Sequence, residues 1–266
     1  MASRRIEHGF TSVDQQPDPS AWVACLDRIH REPFYAAYKR RVVELLEPRA
    51  GERFLDVGGG TGDDARAIAT NHGSKAVALD RSFTMARECR ARGGVVSIAG
   101  DASDLPFRDN SFDGCRADRT FQHLIDPHRA LSEMVRVTRP AGRVVVVDPD
   151  YDTQVLELPD QDLARRVLRF RADHALRHGT LAHRMPAMFR DAGLDHVGVD
   201  PMTLVVRDPA AVDNVMGLRT WASTAHRNGF LDADEVRNWE EMYDATVAAG
   251  KFFYAVAFFL TSGVKP

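Results

Sequence analysis

The chain has 266 residues, of which 44% are hydrophobic and 27% charged, and a formal net charge of -3. That is a globular composition large enough for a substantial core, and its charge argues against a binder driven by phosphate neutralisation. Cys25, Cys89 and Cys115 are scattered without a C-x-x-C pair, which argues against a disulfide framework or a zinc knuckle. The first ten residues carry charges with no apolar run behind them, and Phe252–Leu260 is far shorter than the ~20 residues of a membrane helix. A cytoplasmic protein without a nucleic-acid or membrane partner is the expectation, with a homodimer left open.

In chain order, residues 20 to 47 read as helix, with Trp22, Leu26, Ile29, Tyr38, Val42 and Leu45 at helical spacing. From Gly51 onward, apolar strands alternate with amphipathic helices, the pattern of a parallel sheet covered on both faces. The strands are Arg53–Val57, Lys75–Asp80, Val95–Ala99, Ser111–Ala117 and Arg143–Asp148. Helices fall between them, from Gly62 to about Asn71, from a Ser82 cap to about Arg92, and over Pro127–Thr138, where Pro140-Ala-Gly142 ends the run. Residues 151 to 192 read as helical, with Leu163, Val167 and Phe170 on one face. A strand over Thr203–Arg207, helices across 209–220 and 233–249, and a closing strand over Phe252–Thr261 complete the chain. The organisation expected is a helical extension (1–50), a ligand-binding core (51–150), a helical lid on the acceptor side (151–192) and a completion of the sheet (193–266).

The most informative stretch is Phe54-Leu-Asp-Val-Gly-Gly-Gly-Thr-Gly62, an apolar strand running into glycines and then a helix. Glycines there let the backbone approach a ligand, and the following helix directs free N–H groups at it. The spacing Gly58-x-Gly60-x-Gly62 fails the dinucleotide fingerprint, because Asp63 stands where Gly or Ala is required. Asp80 ends the second strand, where a carboxylate can accept both hydroxyls of a ribose.

With Asp56 ahead of the glycines, Asp80, Gly100-Asp101-Ala102 and the Phe107…Ser-Phe-Asp113 lead-in to the fourth strand, residues 50 to 150 resemble the class I S-adenosylmethionine-dependent methyltransferases. The resemblance implies an α/β, Rossmann-like sheet of seven mostly parallel strands. It also implies S-adenosylmethionine as cofactor, held by Asp56, Gly58, Gly60, Gly62, Asp80, Arg81, Met85, Asp101, Ala102 and Asp118. In that family the acid at Asp101 accepts from the adenine amino group, and the next N–H donates to the ring. Met85 would lie against the adenine or in the core. Asp118-Arg-Thr-Phe-Gln-His-Leu-Ile-Asp-Pro127, Ala130–Pro140 and the C-terminal Phe252–Pro266 resemble the quinone-biosynthesis and natural-product tailoring members. Gly59, where many relatives carry Cys, Ser or Ala, is a departure. The N-x-P-Y/F motif of amino-methylating enzymes is absent at Asp118–Phe121, which lowers the case for a nucleobase acceptor.

The activity implied is methyl transfer to carbon or oxygen of a small organic acceptor, a quinone-, polyketide- or alkaloid-like secondary metabolite; cyclisation or rearrangement on the same cofactor-binding fold is the alternative. His123 is the candidate base for a phenol or enol acceptor, with a structural role as the other reading. Asp148 could orient the acceptor or His123, or cap the turn at Pro149. Tyr151, Phe170 and Met188 are candidate pocket walls. His174, His178 and His183 lack a third ligand at fixed spacing, so no metal is expected. Arg165, Arg166, Arg169 and Arg171 form a basic stripe read as a solvated face, with recognition of an anionic acceptor as the lesser alternative.

Overall fold

A computed structural model describes residues 9–210 and 217–266. Five strands, β1 (Arg53–Val57), β2 (Lys75–Asp80), β3 (Val96–Ala99), β4 (Phe112–Asp118) and β5 (Thr138–Leu156), lie parallel. With β6 (Asp195–Val206) and β7 (Tyr254–Val264) they form a seven-stranded sheet of order β3-β2-β1-β4-β5-β7-β6, in which only β7 is antiparallel. The expected α/β sheet is therefore present. The order steps outward from β1 in both directions, so the chain reverses between β1 and β4, where ligands bind in open α/β sheets.

The helices α1 (Ser20–Arg31), α2 (Pro33–Leu46), α3 (Asp63–His72), α4 (Phe83–Arg92), α5 (Pro127–Val137), α6 (Gln161–Phe170), α7 (Met185–Asp191), α8 (Trp221–Arg227) and α9 (Ala233–Ala248) cover the sheet. Side chains of a strand alternate between faces, and β5 shows the result. Val145 and Val147 enter a core with Phe54 of β1, α2 and α6; Val144 and Val146 enter another with Leu55, Val57, α5 and α7. Ser82 caps α4 as the sequence predicts, its hydroxyl oxygen accepting the Met85 N–H at 3.2 Å.

Three expectations are corrected, and a fourth lies largely outside the described residues. The helical stretch 20–47 is two helices, because the residue before a proline avoids the helical region; Glu32 is extended (φ -74°, ψ 129°) and Pro33 opens α2. β5 runs on through Leu156, paired with Tyr254 of β7, so the segment read as a helical lid begins as strand. β6 starts at Asp195 rather than Thr203; it is an edge strand and buries only Leu204 and Val206, leaving no apolar run to read. The helix expected over 209–220 falls largely on 211–216, outside the described residues. Leu218–Thr220 is a single 3₁₀ turn, and α8, which follows it, was not anticipated. Among the described residues no helix is long and apolar enough to cross a membrane.

Candidate active site

The carboxyl ends of β1, β2 and β3 open onto a cavity of about 390 Å³ that continues past β4 to β5 and β7, within the roughly 300–1,000 Å³ usual for small-molecule sites. Gly58, at φ +72°, sits so close to the loop after β4 that a Cβ there would meet Thr120 Oγ1 at 2.2 Å. Its N–H and that of Gly59 both donate to the Leu79 carbonyl, at 2.8 and 3.0 Å, which pins the glycine turn to the end of β2. Gly62, at φ +76°, caps α3 but faces Cys89, 2.2 Å from an added Cβ, and does not line the cavity.

Asp80 accepts the Gly60 N–H on Oδ2 at 2.9 Å and the Ser82 N–H on Oδ1 at 2.8 Å. Each oxygen keeps a lone pair for a further donor, as a vicinal diol requires. Burial raises its pKa, and the two backbone bonds oppose that shift. Asp101 accepts the N–H and hydroxyl of Ser103 on Oδ1, at 2.8 and 2.6 Å, bonds that hold its carboxyl below the usual range. Its Oδ2 accepts nothing among the described residues. Asp56, Gly60, Arg81, Met85 and Ala102 share this end of the cavity, Met85 being also 2% exposed in the core.

Beneath the glycine turn lies a charge cluster that the sequence did not suggest. Arg116, 2% exposed on β4, lies 2.8 Å from Asp64, 3.1 Å from Asp118 and 3.4 Å from Asp56. Lys39 of α2 adds bonds to Asp64 at 2.7 and 2.8 Å. Burial pushes the Asp56 carboxyl up to about 7 against the pull of Arg116, and Asp64 and Asp118 raise it further. Asp64 and Asp118 lie below the usual range: burial opposes this, but Lys39 and Arg116 at Asp64, and Arg119 and Lys39 at Asp118, outweigh it. Asp56, Asp64, Asp118 and Lys39 all line the cavity.

His123 lines the cavity from the 3₁₀ turn Phe121–His123, its ring 6.5 Å from that of Phe10. Asp148 does not line it. Its carboxylate, 1% exposed, accepts the Phe121 N–H at 3.2 Å, so it supports the loop carrying His123 rather than capping the turn at Pro149. Burial raises its pKa well above the ordinary value, Asp118 adding to the effect. Of the candidate walls, Tyr151 is in place; Phe170 stacks on His174 at 5.9 Å and Met188 packs in the opposite core, away from the cavity.

A short N-terminal strap was also missed. Asp14 accepts from the Ser82 hydroxyl and from the Phe83 and Thr84 N–H groups at 2.8, 2.8 and 3.0 Å, at the start of α4. Burial alone would raise its carboxyl, but these bonds outweigh it and hold it at about 2. Phe10, Thr11, Val13 and Gln15 of the same strap line the cavity. An aspartate at a helix start is a readable capping signal only when it adjoins the helix; here 68 positions separate Asp14 from Ser82.

The three histidines do not converge: His178 Nε2 lies 3.0 Å from the Leu124 carbonyl, and His183 Nδ1 lies 2.6 Å from Asp150. Asp150, Asp152 and His183 bring ligand atoms within 4.8 Å of one another outside the cavity lining, and two of the three are exposed.

The family described as a methyltransferase domain matches residues 55–146. A Streptomyces fradiae protein, described as an uncharacterized 37.1 kDa protein in transposon TN4556, is 34% identical over 244 residues, 90% of this chain and 70% of its own. A demethylmenaquinone methyltransferase of Paenarthrobacter aurescens is 38% identical over 112 residues, 42% of this chain and 44% of that relative. Apart from the Streptomyces protein, the chain spans about half the length of these curated relatives. Haemonchus contortus phosphoethanolamine N-methyltransferase 2, solved with phosphomonomethylethanolamine and S-adenosylhomocysteine, shares the fold with a TM-score of 0.60. It is 17% identical and covers 98% of this chain and 61% of its own. The chain belongs to the class I S-adenosylmethionine-dependent methyltransferases. Its residues fit that cofactor: the free lone pairs of Asp80 and Asp101 face a cavity floored by glycines where a Cβ has no room.

Proposed function

We propose that the protein transfers the methyl group of S-adenosylmethionine to carbon or oxygen of a small, planar, quinone-, polyketide- or alkaloid-like acceptor. In this reading Asp80 accepts the ribose hydroxyls, Asp101 and the Ala102 N–H take the adenine, and Met85 packs on its face. The glycine turn and Asp56 lie below the methionine portion, and Arg81 and Asp118 complete the wall. The bound donor supplies a methyl already activated by a sulfonium charge, so the protein contributes mainly alignment and exclusion of water. His123, which lines the cavity beside Phe10, takes the acceptor's proton.

The observation that carries this reading is one cavity lined both by carboxylates at the ends of β1 and β2 and after β3 and, on its aromatic side, by Tyr35 of α2, Tyr151 of β5 and Phe258 of β7. The quinone C-methyltransferase names of several relatives support a ring acceptor. Calorimetry should show S-adenosylhomocysteine binding at about micromolar Kd, near -8 kcal/mol. Incubation with the methyl donor and a panel of hydroxylated aromatics should release S-adenosylhomocysteine with methylated product in equal amounts. No binding at saturating ligand would overturn the reading; product formed without donor consumption would favour cyclisation or rearrangement.

A further inference from the structure

We propose that Arg171 forms an anion-recognising subsite on the aromatic side of the cavity, so that the acceptor is a planar molecule carrying an anionic oxygen. This rests on the methyl-transfer reading above and adds the substrate class to it.

The four arginines read as one solvated stripe separate in the structure. Arg165 pairs with Asp162 at 3.3 Å, Arg166 with Glu235, and Arg169 with Asp173 at 2.6 Å, all exposed ion pairs outside the cavity. Arg171 instead lines the cavity, and among the described residues it has no hydrogen-bond or ion-pair partner; its Nε is buried and unpartnered. The guanidinium carbon lies 4.0 Å from the ring centre of Trp221 and 5.1 Å from that of Tyr151. Such stacking fixes the plane of the group but uses none of its five N–H donors. Arg171 also opens a π-turn, Arg171–Ala175, directly after α6, a local departure frequent at functional sites.

The surroundings leave that charge uncancelled. Pro149, Tyr151, Leu176, Val256 and Phe258 are the cavity residues contributed by β5, β7 and the segment after α6, and none is acidic. The cavity's carboxylates come from the strap, from β1, β2 and β4, from α3 and from the turns beside them. Arg119, the other guanidinium near the centre, is taken up by Asp118 at 3.3 Å and by the face of Tyr35 at 4.9 Å. A partly desolvated cation with unused donors beside apolar walls binds an anion of matching shape. The guanidinium fork suits a carboxylate bidentately or a phenolate at one oxygen, and Tyr35, Tyr151 and Phe258 suit the ring that carries it.

The test uses the full chain saturated with S-adenosylhomocysteine and two probe pairs, benzoate against benzamide and 4-nitrophenolate against 4-nitroanisole, with Kd measured by calorimetry at pH 8. At least one anion should bind about tenfold or more tighter than its neutral partner, and which pair does so tells carboxylate from phenolate. Arg171→Met should abolish the preference, and Arg171→Lys should retain part of it. Both variants should bind S-adenosylhomocysteine like the parent. Thermal melts separate packing from recognition: a merely structural Arg171 would lower the melting temperature of both variants while leaving the anion-to-neutral ratio alone. Absence of any anion preference in the parent, an unchanged ratio in Arg171→Met, or loss of S-adenosylhomocysteine binding in that variant would overturn the proposal. If the parent itself fails to bind S-adenosylhomocysteine, the methyl-transfer reading falls instead, and the anion preference is read on the unliganded protein.

Discussion

Tyr38 shares its hydroxyl proton between the two oxygens of Asp118, at 2.9 and 3.1 Å, across 80 positions of sequence. The contact ties α2 to the end of β4, so the N-terminal helices are part of the site's wall. Tyr38 is fully buried and stacks on Phe258 of β7, with ring centres 5.5 Å apart. Tyr38→Phe keeps that stacking and removes only the donor. The unfolding free energy should fall by about 1.5–3 kcal/mol, the range for a bond to a charged group, with an unchanged urea m-value. A loss below ~0.5 kcal/mol would mean that the ion pairs of Asp118 hold it without Tyr38.

Asp80→Ala should weaken S-adenosylhomocysteine binding by ~1.5–3 kcal/mol. Asp80→Asn keeps one acceptor for Gly60 or Ser82 and should fall between parent and Ala. Superimposable titrations for the Ala variant would remove the ribose role from this carboxylate.

His123→Ala should cut turnover at least about tenfold, a threshold set below the ~100-fold at which general-base contributions usually begin, while cofactor affinity stays as in the parent. Turnover close to normal would make alignment, and not proton removal, the chief catalytic device.

Arg116→Met leaves Asp56, Asp64 and Asp118 with one fewer buried cation. Removing one partner from such a cluster costs about 3–5 kcal/mol, and denaturation at pH 7 should show it. Acid protonates the stranded carboxylates, so the deficit should shrink on going from pH 8 to pH 5. A deficit that does not vary with pH would assign the loss to packing alone.

Asp148 gives a pH effect of opposite origin. Burial raises its folded pKa well above the ordinary value, so above about pH 3.9 the unfolded chain releases this proton while the folded chain keeps it. Stability is therefore lost as pH rises through that window. Asp148→Asn, neutral throughout, should gain stability relative to the parent from about pH 4 upward in paired denaturation curves. The difference should vanish in stronger acid. A flat difference across that range would show that Asp148 ionises normally in the fold.

The alternating core was legible because its strands are short apolar runs bounded by turns, and the glycine turn with Asp80 and Asp101 fixed the likeness to the family. β6 was illegible over most of its length because an edge strand with two exposed faces has no apolar pattern to give. The Arg116 cluster was hidden because a single arginine in a strand says nothing about three acids from β1, α3 and β4 meeting it. Arg171 did leave a signal. Leu163, Val167 and Arg171 are spaced by four, so the arginine continues the buried face of α6 and departs from the face of Arg165, Arg166 and Arg169. Grouping all four by charge obscured the period.

The strap from Gly9 to Gln15 runs along the cavity, Val13 and Asp14 toward α4 and Phe10 toward His123. Asp14 is thus one of the points that fasten this strap, beside the edge-on contact of Phe10 with Trp22. Because the same short segment borders the lining on both sides, a shift of the Asp14 contact would change the shape of the cavity at the α4 end and at the His123 end together.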